Sequence, residues 1–252
     1  MLVIRSDQME TFRRVAEQRF KVEMLKHLAR FAPRHCEVIG DRQLTSVIRR
    51  GLAGAARHGF TNRGPVQLYL EFMFLFGSGF DTDPLLPWVA AALRSGGLVD
   101  DQMARAEILY RGVLDYLAAV DGPDHAYTMT ALRRLQDVLA MAPPQDASAM
   151  ASKFWTIHPE KCAYIGSVGL QALIAEAVAM APRLGLSGVR GTAVAVRLMF
   201  TLGHACFDDP LYPWVVRTLA DPGLADPEAR TMKLENRERA FLARVLAVPE
   251  LI

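Results

Sequence analysis

The strongest constraint on this chain is that it carries the same passage twice. Residues 33 to 100 reappear without a gap at residues 159 to 226, at a constant offset of 126 and with 23 identities in 68 positions. Pro33, Cys36, Ile39 and Gly40 are matched by Pro159, Cys162, Ile165 and Gly166, and Asp83, Pro84, Pro87 and Trp88 by Asp209, Pro210, Pro213 and Trp214. Two copies are too few for an open solenoid with exposed ends, so the expectation is two units, residues 1–121 and 122–252, burying shared faces in one core. The copies also test each other. A residue type kept in both is needed to fold the unit, and one present in a single copy is free for function.

Each unit reads as helix. Over residues 7 to 31, Met9, Phe12, Ala16, Phe20, Met24, Leu28 and Phe31 recur at spacings of three and four, one apolar face of a long helix for which Ser6 is a candidate N-cap. Pro33 is expected to stop it. A second helix follows from about Asp41 to Gly59, a third from Pro65 to Gly77, a short fourth from Leu85 to Arg94 ending at Ser95-Gly96-Gly97, and a fifth from Asp101 to Val120. The second copy repeats the order, with helices near residues 125–141, 167–184, 190–203, 210–220 and 227–247 and its opening helix broken by Pro143 and Pro144. Nothing alternates with period two, so no sheet is expected. The fold class is all-α: two tandem, pseudo-symmetric five-helix units packed as one helical domain.

Composition narrows the function classes. The hydrophobic content of 51% is ample for a core. The longest strongly apolar run, Leu68 to Phe76, contains Glu71 and is far short of the ~20 residues a membrane span needs. The N-terminus lacks the features of a signal peptide, and three cysteines, Cys36, Cys162 and Cys206, make no even disulfide set, so a cytoplasmic protein without membrane insertion is expected. The net charge of +2 hides an uneven distribution: residues 1 to 66 hold 13 Lys/Arg against 6 Asp/Glu, residues 67 to 126 only 3 against 9. Such separation steers charged partners. Nucleic acid is not among them, because no basic tract or reader motif is present.

The duplication removes most candidate chemistry. Asp81 and Asp83 suggest a Ca²⁺ loop, but Pro84 and Leu85 stand where ligands would continue, and Phe207 replaces Asp81 in the second copy. Asp83 and Asp209 are shared and precede proline, as residues capping the following short helix do, with Trp88 and Trp214 seating that helix on the core. His204, Cys206 and Asp208 resemble a metal or Cys/His site, yet Ser78 and Phe80 hold the first two places in the first copy and no second His lies at a ligand spacing. His35 beside Cys36 is expected to be exposed and inert. No catalytic residue, metal or cofactor is assigned.

The opening Ile4-Arg5-Ser6-Asp7-Gln8-Met9-Glu10-Thr11-Phe12, the stretch Phe31 to Cys36 and the loop Leu75 to Trp88 resemble a family of small helical bacterial proteins associated with type VI secretion loci, beside genes for spike-tip proteins and toxic effectors. The likeness covers most of residues 1 to 120, with residues 125 to 247 as a divergent second copy. It implies a non-enzymatic partner of a secreted effector: an accessory protein, chaperone or adaptor for the effector or its delivery component, or an immunity protein that neutralises the toxin. Candidate contacts are the basic face of Arg42, Arg49, Arg50 and Arg57, Tyr69 and Phe72 on the third helix, and Asp81; of these only Arg57 is matched in the second copy, by Arg183. The competing class is a metal-dependent or Cys/His hydrolase built on His204, Cys206 and Asp208.

Overall fold

The apolar periodicity produces helices throughout the computed structural model, which describes residues 6–94, 101–141 and 147–247. In chain order these are α1 (Ser6–Phe31), α2 (Pro33–Arg57), α3 (Arg63–Phe76), α4 (Pro87–Arg94), α5 (Gln102–Tyr116), α6 (Ala126–Ala140), α7 (Ala147–Ile157), α8 (Pro159–Met180), α9 (Gly188–Leu202), α10 (Pro213–Leu219) and α11 (Pro227–Ala247). Among the described residues there is no strand, and the protein is all-α. The Ser6 side chain, Ser95 to Gly97 and the Pro143-Pro144 break lie outside the described residues.

Pro33 does not end the helical path as expected; it begins α2 one residue after α1, in the first turn where its missing N–H costs nothing. The bend comes seven residues later, at Gly40, whose φ of 75° interrupts α2 before the segment expected from Asp41. The second copy does the same, with Pro159 opening α8 and Gly166 at φ 71° breaking it. A Cβ at either glycine would meet nothing within 4 Å, so it is the left-handed φ, and no lack of space, that requires glycine. Both helices close alike. Phe60 N–H donates to Ala55 O and Gly59 N–H to Ala56 O; Leu186 N–H donates to Ala181 O and Gly185 N–H to Pro182 O.

The two halves of the chain meet where Asp83 and Asp209 sit. Each carboxylate does locally what its place before proline suggests, accepting from the N–H two residues on: Leu85 at 2.8 Å and Leu211 at 2.9 Å. The short helices start later than expected, at Pro87 and Pro213, so the aspartates close turns ahead of them instead of capping them. The remaining oxygen crosses between halves. Asp83 Oδ2 accepts from His204 N–H at 3.0 Å, and Asp209 Oδ2 accepts from Ser78 N–H at 2.6 Å. Ser78 and His204 are themselves 126 apart, so the contact is reciprocal between equivalent positions of the repeated passage. Gly77 and Gly203 make this seam possible. A Cβ on Gly77 would stand 2.7 Å from Leu202 O, and one on Gly203 2.5 Å from Phe76 O.

One continuous cluster of buried side chains runs from Met24 and Leu28 on α1 to Leu234 and Leu242 on α11. A fully buried leucine such as Leu70 or Leu173 contributes about 1.5–3 kcal/mol. The apolar-run reading overlooked residues Pro159–Leu184, which are long and apolar enough to cross a membrane by length and composition, with 33% of the qualifying window buried. Here α8 packs between α7 and α9, burying Cys162, Ile165, Leu170, Leu173 and Ala177.

His158 caps α8, its Nδ1 accepting from Lys161 N–H at 3.3 Å. Burial, then the neighbouring Lys161 ammonium, lowers its pKa to about 4. The unfolded chain takes this proton near pH ~6.5, so stability present at neutral pH is lost as pH falls from there through about 4. Urea midpoints measured from pH 7 to 4.5 are expected to fall, and His158→Asn, which keeps a capping oxygen without titrating, should flatten the fall. An identical profile in the variant would refute the assignment.

Candidate interaction surface

Asp81 lies on a short 3₁₀ turn, Phe80–Thr82, and is a buried acceptor, only 8% exposed. Its Oδ2 accepts from Tyr69 O–H at 2.9 Å and from His58 Nε2 at 2.8 Å, with the Arg57 guanidinium at 3.7 Å. Burial, reinforced by the Asp81 charge, drives the Tyr69 pKa far up, so its hydroxyl stays a donor. The ring fits because α2 has glycine opposite: a Cβ on Gly54 would come within 2.5 Å of the Tyr69 oxygen.

Three of the sequence candidates are therefore corrected. Tyr69, Phe72 and Asp81 are buried and can offer no contact surface. Phe72 packs its ring against Phe76 and Phe80, at centroid distances of 6.2 and 5.7 Å. His58 was missed, although the sequence carries a signal for it. Gly54, His58, Tyr69 and Asp81 of the first copy correspond to Met180, Leu184, Ala195 and Phe207, so a polar cluster is exchanged for an apolar one as a set.

The four arginines divide. Arg50 crosses to the second half, where its guanidinium donates to the Asp208 carboxylate at 3.2–3.3 Å and to Asp208 O at 3.0 Å. Arg57 is anchored beside Asp81, although its side chain is mostly exposed. Arg42 and Arg49 project from the outer face of α2 and have no ion-pair partner among the described residues. In α8 their places are taken by Val168 and Ala175.

The alternative catalytic set does not assemble. The His204 ring lies between Glu176, at 3.2 Å from Nδ1, and Thr82 Oγ1, at 3.0 Å from Nε2. Cys206 is buried, and burial pushes its thiol pKa well above the ordinary value, away from the nucleophilic thiolate. Asp208 is held by Arg50. His35 is not exposed as expected: it hydrogen-bonds Leu211 O at 3.2 Å beside Phe74 and Tyr212, and burial lowers its pKa. Among the described residues no three His, Cys, Asp or Glu side chains group as a metal site.

A second polar cluster, also missed, joins α9 to α11. Arg197 donates to Glu238 through Nε at 3.1 Å and Nη2 at 2.9 Å, and to Glu235 at 3.4 Å, all three side chains being buried. Arg190 adds a bond to Glu235 at 2.6 Å. In the first copy these positions are Glu71, Gly112 and Leu109, so no shared motif announces the network. No protein-family model, curated protein or solved structure matches this chain.

Proposed function

We propose that the chain is a protein-binding module formed by tandem duplication of a five-helix unit, residues 1–121 and 122–252, packed about a pseudo-twofold axis. The reciprocal bonds of Asp83 and Asp209 support this architecture, as do positive-φ glycines repeating at an offset of 126: Gly40, Gly59 and Gly77 with Gly166, Gly185 and Gly203. On the resemblance to type VI secretion-associated proteins, the partner is a secreted effector or its delivery component, and the role that of a non-enzymatic accessory protein, chaperone or adaptor in the cytoplasm.

The observation that carries the binding reading is the division among polar groups. Asp81, His58, Asp83, Asp209, Arg197 and Glu238 are committed to internal bonds, whereas Arg42 and Arg49 are exposed and have no ion-pair partner among the described residues, on a face that the second copy lacks. Arginines so placed guide an acidic partner and set its register.

Reversing both charges (Arg42→Glu with Arg49→Glu) is expected to leave thermal stability unchanged and to weaken capture of the co-expressed effector roughly ten-fold or more. Arg50 is left alone because its loss would disturb the Asp208 contact. Undiminished capture would remove this face from the proposal. Co-expression with the toxin separates the roles: restored growth marks an immunity protein, and improved effector solubility or secretion without rescue marks a chaperone.

A further inference from the structure

The second half carries a helix lying where the first half has none. α6 lies against α7 and α11; its Leu132 and Leu135 share an apolar hollow with Leu198 of α9 and Phe241 and Leu242 of α11, and Arg239 donates to Leu139 O at 2.8 Å. In this half Ile157 is 3% exposed and Leu234 0%. Their counterparts 126 residues earlier, Phe31 and Ile108, are 41% and 42% exposed. Leu75 on α3 and Leu114 on α5 are also open to solvent.

The segment that corresponds to α6 is present but points elsewhere. Phe12-Arg13-Arg14-Val15 matches Leu132-Arg133-Arg134-Leu135 at an offset of 120, six short of the offset that holds from residue 33 onward. α6 and α7 are separate helices packed against each other, whereas α1 has no such interruption: it runs unbroken from Ser6 to Phe31. A helical fold-back needs a connection of a few residues. The N-terminal part of α1 is instead exposed at every described position from Gln8 to Arg19, with Phe12 at 62%. Met9, Phe12 and Ala16 there continue the stripe that Met24 and Leu28 bury further along the same helix.

We propose that the chain pairs with a second copy of itself by exchanging this arm. Residues 8 to 19 of each α1, about 18 Å of helix, lie in the other copy over Phe31, Leu75 and Leu114, as α6 lies over the equivalent elements of its own half. Exchange of one identical element between two copies closes the assembly as a dimer. The inference rests on the repeat correspondence and is independent of the effector reading.

The test uses the full chain. Light scattering after size exclusion should give a dimer, and Phe12→Glu with Val15→Glu, at exposed positions, should give a monomer of unchanged helix content. Chains carrying Val15→Cys and Leu75→Cys separately, with different tags, should be joined by a short thiol-specific cross-linker when mixed; the parent chain, whose three cysteines are buried, should not. A monomer at every concentration, a dimer indifferent to Phe12→Glu, or cross-linking within one chain carrying both cysteines would each overturn the exchange. The Arg42/Arg49 variant should dimerise normally, which keeps failure of this proposal distinct from failure of the binding face.

Discussion

Asp209→Ala is expected to lower folding stability by about 3–5 kcal/mol, because three buried donors lose their acceptor together and each unsatisfied group costs about 1–3 kcal/mol. The donors are Ser78 N–H and Ser78 Oγ, both at 2.6 Å, and Leu211 N–H at 2.9 Å, around a carboxylate that is 0% exposed. Urea denaturation at pH 7 measures the loss. Asp209→Asn keeps one acceptor oxygen and should cost less than half as much. Asp83→Ala should fall between them, since among the described residues Asp83 accepts from two donors, Leu85 N–H and His204 N–H. Burial raises the Asp209 pKa against the opposing effect of these bonds, so the folded state is penalised as pH rises through the carboxyl's titration, a dependence that the asparagine variant lacks. A loss under about 1 kcal/mol for the alanine variant would mean that the seam contributes little to stability.

Arg197→Ala should be as damaging, at about 3–5 kcal/mol, because it strands buried charge. Glu238 is 4% exposed and has both carboxylate oxygens on Arg197, whereas Glu235 retains Arg190. Burial already raises the Glu238 pKa against the opposing charge of Arg197, and removing Arg197 is expected to raise it further. The damage comes from the orphaned carboxylate, so an apolar pair in its place, Arg197→Met with Glu238→Leu, should recover most of the loss. Thermal melts of the single and double variants decide this. A double variant no better than Arg197→Ala would show that the pair's shape, and not its charge, holds α9 to α11.

Much of the fold was legible because repetition exposes what a helical unit needs. The apolar stripes gave the helices, and Gly59 gave the end of α2. Pro33 misled, because a proline that cannot continue one helix is well suited to start the next, and only Gly40 marks where the axis bends. At the interface, sequence revealed the local task of Asp83 and Asp209 and not the second: a carboxylate has two oxygens, and where the other points depends on the packing of a distant segment. The inference that unshared residues lie on the surface failed at Tyr69, Phe72 and Asp81. Divergence between copies occurs inside the core whenever neighbours change together, as Gly54, His58, Tyr69 and Asp81 do against Met180, Leu184, Ala195 and Phe207.

The seam also governs timing. Its reciprocal bonds join residues 121 and 131 apart along the chain, while the helices on either side pack mainly against sequence neighbours. Closing so long a loop costs entropy before any contact rewards it, so the local helical packing is expected to precede it and the seam to be completed late on the folding path. Interactions formed after the rate-limiting barrier act on unfolding and barely touch folding. The glycine crossing and its paired aspartates thus work as a latch whose strength sets how long the native molecule persists between openings, with little influence on how quickly it first assembles.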